Sequence, residues 1–310
     1  MMRKVGSRHS DMAHVYNKVR LVNATGKERR MAKQMSDGEI VAGATERGAT
    51  GRIVVALDAS PNSVAALRAA VELASWLGLE LEGVFVEDIN LTRLGELPNQ
   101  YEVGSYTGTV RRLDNLALQR QLRALAASMR QAMAREAGRR PIRWDFSVRR
   151  GPVVTELLAA SQSASVVSVG RTGRGRRSSL GSTAQSIVRE CSRPVLVSGQ
   201  GVELRLPLTV VFTGTEASER AMQFVLNLRH QRIRNGIRIL VWGGDNSQRL
   251  EDLRRRAASL VQQAGADALI ISAVAGSLSA IVGQEPGTLV LARENADLLS
   301  QHRGPTILVP

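Results

Sequence analysis

The chain has 310 residues, enough for two ordinary domains with a full core in each. Apolar residues make up 43% and charged residues 23%, which excludes a disordered chain, and no apolar run approaches the roughly 20 residues of a membrane span. Lys and Arg outnumber Asp and Glu by 42 to 28, a net +14, but aromatics are only 3%, so few rings are available to stack single-stranded bases and nucleic acid is not the expected partner.

The single Cys191 excludes an internal disulfide and a thiolate cage, and His9, His14, His230 and His302 are scattered, so no metal site is expected. No apolar signal core follows Met1, and a cytoplasmic setting is the expectation. All four lysines (Lys4, Lys18, Lys27, Lys33) fall in the first 33 residues, and the stretch Gly43–Gly51 is loose and glycine-rich. Residues 1–51 are therefore read as a flexible basic extension, with residues 1–34 dispensable for the fold.

From Arg52 the pattern sharpens. Arg52-Ile-Val-Val-Ala-Leu-Asp58 is a short apolar run ending in a carboxylate, as in a buried parallel strand. Ser60 and Pro61 supply a helix start, and Val64–Leu77 is an Ala/Leu-rich helix. Leu79–Val86 reads as the second strand, residues 89–108 as a long loop, and Thr109–Ala137 as a long helix with Met129 and Met133 as core filler. Ile142–Val148, Ser165–Val169 and Pro194–Val197 complete five strands, with helices at Val153–Ser161 and from about Thr183. The second half repeats the series from Leu208–Phe212 to Pro305–Val309 at lower fidelity. The fold expected is α/β, two tandem doubly wound parallel-sheet domains of the nucleotide-binding, Rossmann-like type, over residues 52–199 and 206–310.

Ligands of such sheets bind beyond the carboxyl ends of the strands. Asp58 and Ser60 end there after strand one, and Gly170–Thr183 after strand four. Between Leu157 and Arg189 there is no Asp or Glu, whereas Arg171, Arg174, Arg176, Arg177 and Arg189 are present, with glycines that let a backbone approach a phosphate. Ser182 and Thr183 open the next helix, whose N–H groups favour an anion. A solvated loop without any ligand is the other reading of the same residues. The P-loop and dinucleotide fingerprints are both absent.

The strand ending at Asp58, the strand end at Val86, Gly151, and Gly170-x-x-Gly173…Gly181-Ser182 followed by Pro194-Val-Leu-Val197 resemble the universal stress protein family, well over residues 52–199 and weakly over 206–310. The resemblance implies ATP or a related nucleotide, with Mg as an accompanying ion. Asp58 and Val86 would contact the adenosine moiety, and Gly170, Gly173, Gly181 and Ser182 the phosphates and ribose. With Ser60, Arg174, Arg176 and Thr183 added from their placement, these form the candidate binding set. Two departures stand out: seven residues rather than nine separate Gly173 from Gly181, and the family's aspartate at the start of strand four is missing, with Ser163 and Ser165 nearby. In the second copy Gly214 is matched to Asp58, and Arg293-Glu294-Asn295 replaces the glycine loop, so one site per chain is expected.

No nucleophile–base set is suggested, and at most slow ATP turnover is expected. The expected role is a cytoplasmic stress or regulatory protein acting through nucleotide-dependent contacts with an unknown protein partner. The alternative is a scaffold that binds no nucleotide and offers its arginine loop to an acidic partner. The resemblance also implies pairing through the last strands, here Val195–Val197 and Ile307–Val309 within one chain, as a pseudo-dimer.

Overall fold

The computed structural model describes residues 16–21, 51–96, 101–103, 110–112, 115–172, 180–228, 233, 236–273 and 276–310. An N-terminal strand β1 (Tyr16–Leu21) precedes the first α/β unit. That unit runs β2 (Arg52–Leu57), α1 (Pro61–Leu77), β3 (Glu80–Asp88), α2 (Ile89–Glu96), β4 (Tyr101–Val103), β5 (Val110–Arg112), α3 (Asn115–Ala137), β6 (Trp144–Gly151), α4 (Val153–Ser161), β7 (Val166–Gly170), α5 (Ser182–Glu190) and β8 (Val195–Ser198). The second unit runs β9 (Leu208–Phe212), α6 (Glu216–Leu226), β10 (Ile237–Trp242), α7 (Ser247–Gln263), β11 (Ala268–Ala273), α8 (Leu278–Val282), β12 (Thr288–Ala292), a 3-10 helix (Arg293–Ser300) and β13 (Thr306–Val309).

Eleven strands form one sheet in the order β1-β11-β10-β9-β12-β13-β8-β7-β2-β3-β6. Within each unit the five core strands are parallel and follow the same doubly wound order, third-second-first-fourth-fifth. The units meet where β8 and β13 pair antiparallel, with Val197 opposite Thr306, Leu196 opposite Ile307 and Val195 opposite Leu308. Each last strand thus covers the edge of the other.

Continuous apolar runs form these strands because helices cover both faces. Ile53, Val55 and Leu57 of β2 join the layer under α1, α3, α6 and α7, while Val54 joins the layer under α4, α5, α8 and the 3-10 helix. Ser60 caps α1 by accepting the Ser63 N–H at 3.1 Å, and Gly78 ends that helix with a left-handed φ of 66°.

Three segments differ from the sequence-based expectation. Residues 89–108, read as a loop, hold α2 and the first arm of the β4–β5 hairpin, so the long helix starts at Asn115 rather than Thr109. Short polar elements like these carry too little periodicity to be seen in sequence. The third strand lies at Trp144–Gly151, later than Ile142–Val148. Finally, β1 lies inside the segment read as a flexible extension, where it pairs antiparallel with β11 along all six of its residues. Val19 and Leu21 alternating with Lys18 and Arg20 suit an edge strand, but the run is too short to stand out among polar neighbours.

Candidate functional site

In the first unit the sheet order reverses between β2 and β7. The helix after β2 passes to one face and the helix after β7 to the other, which opens a crevice at the strand ends. A cavity of about 450 Å³ occupies it. Ala56, Leu57, Val84, Val86, Val153, Leu157, Val169 and Leu180 give it an apolar floor, and Asp58, Ser60, Ser63, Thr172, Ser182 and Thr183 are its polar side chains. Its size is that of a small-molecule pocket, and an apolar lining with few polar groups is typical of one.

Asp58, Ser60, Val86, Gly170, Gly181, Ser182 and Thr183 all meet at this cavity. Gly173, Arg174 and Arg176 lie outside the described residues. The exposed Asp58 carboxylate accepts the Ser60 N–H at 2.9 Å, which orders the turn between β2 and α1. Ser60 is buried and its hydroxyl oxygen is taken up by the α1 cap. Gly170 has a packing reason to be glycine, since a Cβ there would stand 2.9 Å from the Asn62 carbonyl carbon and 3.0 Å from the Ser63 nitrogen. Asn62, absent from the sequence-based set, donates from Nδ2 to Thr172 Oγ1 at 2.7 Å and accepts the Gln200 N–H at Oδ1 at 2.9 Å. It ties the loops after β7 and β8 to the start of α1. Sequence reading also missed the floor residues Val153, Leu157 and Leu180, whose only signal is that they flank Gly151 and Gly181.

The opposite wall is the N-terminus of α5. Its capping position is Gly181, in an extended conformation, with no side chain to satisfy the first N–H groups. In contrast α1, α6, α7 and α8 carry side-chain caps from Ser60, Thr215, Asn246 and Ser277. The N–H groups of Ser182, Thr183 and Ala184 therefore have no intrahelical acceptor and lie at the cavity, with the positive end of the helix dipole. Asp58 is the sole carboxylate among the described lining residues, and no group of three or more His, Cys, Asp or Glu placed to hold a metal occurs among the described residues. Among the described residues the lining thus fits an anion with an apolar portion and offers a single carboxylate, too few to hold a Mg ion without the ligand's own oxygens.

Arg171, part of the arginine-rich loop in sequence, turns away from the cavity. Its Nη1 donates to the Leu299 carbonyl at 2.8 Å, and its Nη2 to those of His302 at 2.9 Å and Gly304 at 3.3 Å, all in the second unit. Burial pushes this guanidinium below the ordinary arginine range.

The corresponding crevice of the second unit is lined differently. Thr215 caps α6 as Ser60 caps α1, and in both helices the third residue after the cap returns the same pair of hydrogen bonds. This places Thr213 opposite Asp58 and Gly214 opposite Ala59, so the sequence-based match of Gly214 to Asp58 is off by one residue. The carboxylate is missing in either alignment. Leu253 packs on Gly214, and Glu294 accepts a hydrogen bond from the Thr215 hydroxyl. A negative charge occupies the place of the first unit's glycine loop.

A tandem, doubly wound α/β protein with one cavity at the switch point of its first unit is the class that fold and site define. The universal stress protein family model matches residues 50–198, so the chain carries a domain of that family over its first unit. A universal stress protein from Archaeoglobus fulgidus DSM 4304 is similar over 83% of this chain and 97% of its own, with 14% identity and a TM-score of 0.64. A protein of the same family from Burkholderia pseudomallei is 25% identical over 47% of this chain and 94% of its own, with a TM-score of 0.34. A universal stress protein solved in complex with cAMP is 17% identical over 49% of this chain and 98% of its own, with a TM-score of 0.33. No curated protein matches the chain significantly. No helix among the described residues is long and apolar enough to cross a membrane.

Proposed function

We propose that the first unit binds ATP or a related adenine nucleotide, and that the protein acts in stress response or regulation through contacts that depend on this ligand. The observation that carries the reading is the uncapped N-terminus of α5, opening on an apolar-floored cavity at the switch point. A nucleotide joins the two properties required there, a flat apolar base and an anionic tail. In this reading Val86, Val84 and Leu157 receive the base, Asp58 accepts from the sugar or base at the rim, and the N–H groups of Ser182 to Ala184 hold phosphate oxygens. Gly173, Arg174 and Arg176 belong to the same proposal, as a close backbone approach and as cationic partners of the phosphates. Mg would ride on the phosphates. Asp58 is the sole carboxylate among the described lining residues, and binding rather than turnover is the activity proposed.

The test is equilibrium binding of labelled ATP, adenosine and cAMP to the full chain. Saturable ATP binding that Asp58→Ala weakens for ATP and adenosine alike, and that Arg174→Ala with Arg176→Ala weakens for ATP more than for adenosine, supports the reading. Absence of saturable binding by all three sinks it and favours the scaffold with an acidic partner.

A further inference from the structure

Arg171 and Arg293 hold equivalent places, each one residue beyond the fourth strand of its unit. Each side chain crosses the seam in the opposite direction. Arg171 donates to the carbonyls of Leu299, His302 and Gly304 at the end of the 3-10 helix. Arg293 donates to the carbonyls of Arg189, at 3.2 Å, and of Cys191, at the end of α5. In these contacts both guanidinium groups meet backbone carbonyls rather than carboxylates. Each meets helix-terminal carbonyls, where the dipole is negative.

What these arginines hold is specific. The Arg171 backbone closes the neck of the glycine loop: its N–H donates to Ser198 at 2.8 Å and its carbonyl accepts the Gly181 N–H at 2.9 Å. Gly181 is the capping position of α5, the helix that walls the cavity. Arg293 grips the other end of that same helix. Helix α5 is therefore fastened at both ends by the second unit, whose own crevice has lost the carboxylate of the first. The seam does not need these arginines for docking, because the β8–β13 ladder already joins the units.

We infer that Arg171 and Arg293 are positioning residues through which the second unit acts as a clamp, holding the N-terminus of α5 in the orientation that the cavity's anionic ligand requires. A degenerate second unit would then be kept because it fixes a binding wall that has no side-chain cap of its own. The affinity consequence rests on the nucleotide reading; the position of the wall does not.

The test uses the full chain with Arg171→Lys and Arg293→Lys, each keeping the charge and losing the fork. Amide hydrogen exchange without ligand reads the wall. Arg171→Lys should speed exchange at Gly181 and the first turn of α5, and Arg293→Lys at its last turn, by about tenfold or more, while β2 and β9 keep their protection. The hydrogen-bond partners of Arg293, Arg189 and Cys191, do not line the cavity, yet its variant should weaken ATP more than adenosine; a general loss of stability would weaken both alike. Unchanged exchange in α5, or a uniform increase across β2, β9 and α5, overturns the clamp. Should Arg171→Lys fail to fold, Arg293→Lys decides the matter alone. Should the wild type bind neither ATP nor adenosine, the nucleotide reading falls, and exchange still decides the clamp.

Discussion

Ala59 and Gly214 occupy equivalent turns between the first strand and first helix of their units, and both have left-handed backbones, with φ of 61° and 82°. An L side chain at such a φ is strained by about 1–2 kcal/mol, so Ala59 stores strain at the cavity rim that glycine in the second unit avoids. Ala59→Gly should raise stability by about 0.5–1 kcal/mol after the entropy cost of glycine, and Gly214→Ala should lower it by about 1–2 kcal/mol. Urea midpoints at unchanged slope check both. A destabilising Ala59→Gly would show that the turn is not strained.

Gly170→Ala should cost about 1–3 kcal/mol by overpacking, because the new Cβ meets the backbone of Asn62 and Ser63, which cannot step aside as a side-chain tip could. Thermal unfolding reads the loss. An unchanged midpoint would mean that the start of α1 yields freely.

Saturating ATP, at about 100 times its dissociation constant, should stabilise the chain by ~2.7 kcal/mol and raise its midpoint by roughly 5–10 °C. Gly181→Asp separates cap from ligand. Gly181 has φ −66° and ψ 155°, which any residue adopts. The new carboxylate should cap α5, raising ligand-free stability by a few tenths of a kcal/mol (about 0.3), while repelling phosphates so that the ATP shift vanishes and the adenosine shift stays. An ATP shift that survives Gly181→Asp would move the phosphates elsewhere.

His302 is buried, with Nδ1 3.3 Å from the Val282 carbonyl, and burial pushes its pKa below the ordinary value of 6.5, helped by the nearby Arg171 charge and opposed by the Val282 and Gly287 carbonyls. As pH falls below 6.5 the unfolded chain takes up this proton and the folded one resists it, so the unfolded state binds more protons and stability declines with acidification. His302→Gln should flatten this decline in denaturation midpoints measured between about pH 7 and pH 5.5. An unaltered slope would assign the acid sensitivity to other groups.

Truncation to a start at Met35 removes β1 and leaves β11 as an open edge. The midpoint should drop by about 2–4 °C for each kcal/mol lost, and the truncated chain should self-associate more readily. An unchanged midpoint and a monodisperse truncated chain would restore the view of this segment as a dispensable extension.

The doubly wound order was legible because each strand is a short apolar run and each helix carries its own period, and both signals are local. Asp58 and Gly181–Thr183 were legible for the same reason: they follow a strand and start a helix, and the fold class alone brings such places together, whereas Val86, two residues inside the end of β3, came from the resemblance. The purpose of Arg171 was not. In sequence it is one arginine among several in a glycine loop, and nothing local separates a phosphate ligand from a strut to carbonyls more than 120 residues away. The one-residue error at Gly214 has a similar origin, since strand apolarity fixes an alignment only to within a residue, whereas cap hydrogen bonds fix it outright. Local chemistry determined which elements form and which strand ends could bind. The antiparallel seam, which sets two guanidinium groups against the helix ends of the opposite unit, decided what those arginines do, because long-range partners are chosen by packing.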